Sequence, residues 1–296
     1  MTIVVAVGAN LGDVYGDTQV AGSRVPCPAF CQYPANALHY NAACTMPGAL
    51  DPGRIAQLLQ PFLAGSPGLS ASQLDQISTY INILLHWNSR INLTAVRRPE
   101  EIVTRHFGES LFAATHLFPA QAEPSHPSPA KGVGTGDTPV PPFAEQSSQL
   151  TSPNLPLPAP TAPRVFDVGS GAGFPGLPLK IWAPRIHLTL LESSHKKATF
   201  LREVSRALAL TDVDVFCGRA QDFPRQADLV TLRAVERFHA ILPVAAKLVA
   251  AGGRLALLIG QSQVKEAEHL LASLAWDRPL ALPGSSNRQL LIGSKL

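Results

Sequence analysis

Cysteine is scarce: Cys27, Cys31, Cys44 and Cys217 are the only four in 296 residues. They form no C-x-x-C pair and have no histidines at zinc-ligand spacing. That excludes a disulfide framework and a zinc finger, predicts no metal site, and fits a reducing compartment. Uninterrupted apolar runs of about 18 residues are missing, so no membrane span is predicted. The opening "MTIVVAVGAN" lacks a basic n-region and a sustained apolar stretch, so no signal peptide is read and a cytoplasmic location is expected. Charged residues make up only 15%, yet apolar residues reach 46%, which excludes disorder by composition and supplies a core.

What charge there is lies unevenly. Residues 164–296 hold 17 basic against 11 acidic groups, +6, whereas everything before them sums to −3. A polyanionic partner suits the carboxyl-terminal half, although an ordinary basic domain carries such a charge too.

Proline marks the domain boundaries. Residues 119–163 hold 12 of the 27 prolines and no apolar period, which predicts a disordered, extended insertion between two folded parts. Before it, Leu74, Ile77, Ile81 and Leu84 follow helical spacing, with Leu85 and Trp87 widening the stripe. "RRPEEIVTRHFGESLFAATHLF" places Pro99 at a helix start with Glu100 and Glu101 in the first turn. Ile102, Val103, Phe107, Leu111, Ala114 and Leu117 supply its apolar face, so residues 47–118 are expected to form a helical subdomain. After the insertion, strands are predicted at Val165–Val168, His187–Leu191, Asp214–Cys217, Leu229–Leu232 and Arg254–Ile259, alternating with helices. The fold class is therefore α/β, a doubly wound, Rossmann-like, mostly parallel sheet over residues 164–296. "RPLALPGSSNRQLLIGSKL" reads as an antiparallel edge pair closing it. Residues 1–46 show little periodicity and are expected to be a disordered extension ahead of a functional start at Met46. There "VAVGANLGD" resembles the opening of the hydroxymethylpterin pyrophosphokinases, and nothing downstream continues it.

Within the sheet stands "RVFDVGSGAGFPGLPLK", a strand followed by a glycine turn. Ligands of open parallel sheets sit at the strands' carboxyl ends, and such a turn lets backbone approach them closely. Glu192, 21 residues after Gly171, suits the two ribose hydroxyls of an adenosine. NAD and S-adenosylmethionine share that need, so Glu192 alone does not choose. Asp167 favours the methyl donor, because a carboxylate would repel a pyrophosphate and attract a sulfonium and an α-ammonium. The register Asp167, Gly169, Gly171, Gly173 and the paired Gly252–Gly253 before the fifth strand point the same way.

"HWNSRINLTAV", "RHFGESL", "VFDVGSGAGFPGLPLKI", "LLESSHKKATFLREV", "GRAQDFP" and "TLRAVE" occur in the order found in one family. On these segments the chain resembles the bacterial 16S rRNA guanine-N7 methyltransferases, the RsmG or glucose-inhibited division protein B family, over residues 47–118 and 164–296. The resemblance implies methylation of a guanine N7 in the 530 loop of 16S rRNA with S-adenosyl-L-methionine as cofactor. It implies donor contacts at Gly169, Phe174, Ala220, Gln221 and Arg233, and catalytic-cleft positions at Arg233, Asn92 and His106. The implied partner is 16S rRNA or the small ribosomal subunit, met by a monomer. Two residues depart from the family pattern: Ile259 where lysine is usual, and Glu109 where aspartate is. Lys196, Lys197 and Arg202 fit either RNA contacts or a solvated helix face. His106 and Asn92 likewise fit a helix interface and a turn. An NAD-dependent oxidoreductase and a catalytically weakened RNA-binding relic of the family are the alternatives.

Overall fold

The computed structural model describes residues 50–63, 65–119, 162–233 and 237–296, all within one compact unit, Thr45–Leu296. The amino-terminal extension and nearly all of the proline-rich insertion lie outside the described residues.

The first described elements are helical. Asp51 caps α1 (Pro52–Leu59) by accepting from Arg54 N at 3.0 Å. A reciprocal pair between Ser70 and Gln73 caps α2 (Ala71–Asn88). Pro99 opens α3 (Pro99–Ile102), which runs through a π-helical segment, Val103–Gly108, into α4 (Glu109–Leu117). The widened turn is a feature that apolar spacing cannot reveal, since the apolar face predicted from Ile102 to Leu117 is buried throughout.

The sheet contains β1 (Arg164–Val168), β2 (His187–Glu192), β3 (Val213–Cys217), β4 (Ala227–Arg233), β5 (Val249–Gly260), β6 (Leu274–Trp276), β7 (Leu280–Ala281) and β8 (Arg288–Lys295). Its order is β3-β2-β1-β4-β5-β8-β6, parallel through β5, with β7 alongside β8. The five predicted parallel strands are present. The expected antiparallel pair is present as β7 and β8, and β6 also joins β8, which therefore lies between β5 and β6. β5 also begins before the paired glycines, at a register shift opposite β4.

Side chains alternate between the two faces with the strand period. Val165, Leu188, Leu190, Leu229, Ala256 and Leu258 enter one core with α5 (Gly176–Trp182), α6 (His195–Ala207) and the amino-terminal helices. Phe166, Val168, Leu191, Val230, Leu232 and Leu257 enter the other, beneath α7 (Phe238–Leu248) and α8 (Val264–Leu270). The amino-terminal helices thus share a core with one face of the sheet. No described helix is long and apolar enough to cross a membrane.

Candidate active site

The strand order reverses beside β1, which pairs with β2 on one side and β4 on the other. The carboxyl end of that junction is where such sheets hold ligands. The glycine turn leaves β1 there, and Arg233 ends β4 there.

Backbone bonds shape the turn. Gly169 N and Ser170 N donate to Leu191 O at 2.9 and 3.2 Å, and Gly173 N donates to Ser170 O at 2.6 Å. Gly171 has φ +56°, and a β-carbon there would meet only Gly169 O, at 3.7 Å. Its left-handed conformation favours glycine, and a β-carbon would find open space in front of it. Glu192 stands against this open side. Its Oε2 accepts from Gly171 N and its Oε1 from Ser194 N, both at 2.8 Å. Each carboxylate oxygen has capacity for a further donor, so a ribose diol fits these residues. Ala220, buried, and Gln221, exposed, form a short turn just past β3.

Asp167 is placed differently from the sequence expectation of a direct contact with donor charge. It is 1% exposed, and its Oδ1 and Oδ2 accept from Thr231 Oγ1 at 2.9 Å and Gly176 N at 3.2 Å. A β-carbon on Gly176 would come within 2.8 Å of that carboxylate and 2.7 Å of Leu190. Asp167 therefore braces the start of α5 against β1 and β4 from beneath the turn. Burial raises its pKa to about 6, with the bonds from Thr231 and Gly176 pulling the other way. Phe174 is likewise enclosed: its ring lies 5.3 Å from that of Tyr80, 5.1 Å from Phe107 and 4.9 Å from His106.

Arg233 is the centre of a second cluster. Its Nε and Nη2 donate to Glu109 Oε2 at 3.3 and 2.9 Å, and Nη2 also to Arg105 O at 2.6 Å. Nη2 meets His106 Nδ1 at 3.0 Å, and the guanidinium lies 5.9 Å from the Phe174 ring centre. A guanidinium only donates, so His106 Nδ1 accepts and its proton sits on Nε2, facing Thr94 Oγ1 at 2.7 Å. Burial, then Arg233, Arg105 and Arg288, push His106 down to about 3, which leaves it a neutral imidazole. Arg288, at the start of β8 and opposite Gly260, reaches the same Glu109 oxygen at 3.1 Å. One buried carboxylate thus gathers two guanidiniums at the carboxyl edge of β4 and β5.

The structure brings Arg233, His106 and Phe174 together and sets Glu192 with Gly171. Asn92 stands apart: it is exposed and makes no side-chain hydrogen bond among the described residues. Its loop is held by Asn88, whose Oδ1 accepts from Leu93 N and Thr94 N at 2.9 and 3.1 Å and whose Nδ2 donates to Thr94 O at 3.0 Å. Lys196 and Arg202 are exposed on α6 and Lys197 is half-buried, with no contact to the Arg233 cluster. Ile259, at 5% exposure, faces the apolar core with Val264 and Leu291. Sequence reasoning assigned no role to Tyr80, Asn88, Thr94 or Arg288. Asn88 carried a signal, a polar residue extending the apolar stripe of Ile77, Ile81 and Leu84. Arg288 carried none. Among the described residues no three His, Cys, Asp or Glu side chains converge as metal ligands.

The profile of the family described as rRNA small subunit methyltransferase G matches residues 73–136 and 155–290. The chain is 31% identical to ribosomal RNA small subunit methyltransferase G of Exiguobacterium sp. (strain ATCC BAA-1283 / AT1b) over 255 residues, covering 81% of this chain and 90% of that protein. It is 34% identical to the protein of the same name from Roseiflexus castenholzii (strain DSM 13941 / HLO8) over 237 residues, 76% of this chain and 84% of that one.

Proposed function

The chain belongs to the rRNA small subunit methyltransferase G family, and from that premise we propose that it methylates N7 of a guanine in 16S rRNA, with S-adenosylmethionine as donor. The observation that carries the proposal is the pairing of the Gly171–Glu192 cradle with the Arg233–Glu109–Arg288 cluster at neighbouring strand ends.

The Gly171–Glu192 cradle would hold S-adenosylmethionine, whose sulfonium would supply the methyl group to the lone pair of guanine N7 and leave as a neutral thioether. N7 bears no proton, so the protein needs no general base. The site agrees, because His106 is engaged at both ring nitrogens and Asp167 is sealed beneath the turn. The residues' work is alignment and electrostatics. Glu192 orients the ribose, and the glycine turn lets backbone close on the donor. Arg288 is the more exposed of the two guanidiniums and, with Arg233 held behind it on Glu109, supplies positive charge suited to an rRNA loop and to the acceptor O6 of a guanine turned out of its stack. On this reading Asn92, exposed on the Asn88-pinned loop, and Lys196, Lys197 and Arg202 on α6 would meet RNA away from the Arg233 cluster. The protein acts as a monomer in the bacterial cytoplasm, and residues 47–118 and 164–296 work together.

The test is transfer of labelled methyl from S-adenosylmethionine to small subunits lacking the modification, with the nucleotide mapped. Label at a guanine N7 is expected. Donor binding without any transfer would select the relic, and saturable NAD binding without donor binding would select the oxidoreductase.

A further inference from the structure

We propose that Tyr80 is a positioning residue for donor binding, through which α2 fixes the Ala172–Gly173 peptide of the glycine turn in the orientation the donor requires. This rests on the reading of that turn as the donor site.

Tyr80 is fully buried on α2, 92 residues before the carbonyl it reaches, and its hydroxyl donates to Ala172 O. The other end of the same peptide unit, Gly173 N, donates to Ser170 O at 2.6 Å. The peptide is thus held at both its carbonyl and its amide. That hold is needed because Gly173, at φ +88°, has no side chain to forbid the flipped orientation. Nor is there room for one: a β-carbon on Gly173 would run into the Tyr80 hydroxyl and lie 2.6 Å from Leu177 Cδ1. The turn therefore gives up steric definition at this residue and gains it from the phenol.

The ring places that phenol. It stacks parallel to Phe174 at 5.3 Å and meets Phe107 edge-on at 5.1 Å, so the residue after Gly173 is fixed by the same side chain. Burial and the neighbouring Asp167 raise the phenol pKa well above its usual value, so the hydroxyl remains a donor across the working pH range. A phenylalanine would fill the ring's place equally well. The hydroxyl is what distinguishes a positioning role from core packing.

Tyr80→Phe tests this by calorimetry with S-adenosylmethionine and S-adenosylhomocysteine, by steady-state kinetics and by hydrogen exchange on the donor-free protein. The expected result is a donor Kd raised about tenfold, the scale of one buried hydrogen bond. The donor KM should rise in step, while kcat at saturating donor and the KM for the subunit stay within about twofold of wild type. Exchange should quicken at the Gly173 amide and remain unchanged across β4 and β5. An unchanged Kd overturns the proposal, as does weaker binding accompanied by uniformly faster exchange through the sheet. Tyr80→Leu, which also removes the stack, should weaken binding further. Equal Kd values for Tyr80→Leu and Tyr80→Phe would overturn the part assigned to the ring. Failure of the wild-type protein to bind donor would instead overturn the donor-site reading.

Discussion

Glu109 holds its carboxylate at 5% exposure between Arg233 and Arg288, with Arg105 close by. Removing it leaves guanidiniums facing one another in a nearly dry site. Glu109→Ala should destabilise the fold by about 3–5 kcal/mol in urea unfolding. A double-mutant cycle with Arg233→Met should recover a large part of that cost. The shorter Glu109→Asp retains the charge and should lie between the two. Gly171 offers the opposite case, a residue whose change is felt by the ligand. Gly171→Val meets no packed neighbour, so beyond about 1–3 kcal/mol of backbone strain the fold should survive, while calorimetry shows donor binding lost. Two buried titrations also leave a signature. Asp167 is more basic folded than unfolded, so its contribution is fullest below pH 3.8 and is lost as pH rises through about 6. His106 works in reverse: its contribution is fullest above 6.5 and is lost as pH falls toward about 3, where an imidazolium would confront Arg233. The stability difference between wild type and His106→Gln should therefore shrink with acidification across that window, at up to roughly 1.4 kcal/mol per pH unit. Urea midpoints over a pH series check it, and a constant difference would refute it.

At the scale of elements, the π-helical segment and the end of α2 present the helical part to the sheet. The π turn, Val103–Gly108, places Arg105 O and His106 on Arg233, and α4 opens directly with Glu109. Asn88 does comparable work at the end of α2, closing the loop that bears Asn92 and Thr94 with three hydrogen bonds. Asn88→Ala leaves two backbone amides and a carbonyl without that partner, which should cost about 1–3 kcal/mol. Because the freed loop carries Asn92 and not the proposed donor cradle, the KM for the subunit should rise several-fold while donor Kd holds. An equal loss in both would place the loop elsewhere in the mechanism.

For the molecule as a whole, the anchoring of the insertion is decisive. Phe118 O accepts from Trp182 Nε1 at 3.0 Å and Pro163 O accepts from His187 N at 2.9 Å. Trp182 ends α5 and His187 begins β2, so both ends of the insertion are fixed at the amino edge of the sheet, opposite the site. Replacing residues 120–161 by a short glycine-serine linker should leave donor Kd and methyl transfer within about twofold. Unfolding should, if anything, shift upward by about 1–2 kcal/mol, because loop closure depends only weakly on length. A collapse of folding would show that the segment contributes structure.

Much of this was legible in the sequence, because period, breakers and glycine placement act locally. The sequence reads as strands alternating with helices from Val165 to Ile259, Pro99 begins a helix, and 12 prolines mark a boundary between the two parts. Glycines at 169, 171 and 173, with Glu192 at the end of the next strand, located the cradle as well, since each answers a backbone demand within one βαβ unit. Other features needed the folded chain. Whether Asp167 faced a ligand or the core depended on Thr231 and Gly176 arriving from other elements. Glu109, Arg233 and Arg288 lie far apart in sequence and become one charge cluster only when α4, β4 and the antiparallel β8 converge. Tyr80 has no part in the sequence reading, and only the packing of α2 against the turn puts its hydroxyl on Ala172 O. Local pattern encodes which face a side chain takes. Its partner is decided by which elements meet, because a hydrogen bond or ion pair is made at contact distance whatever the separation along the chain.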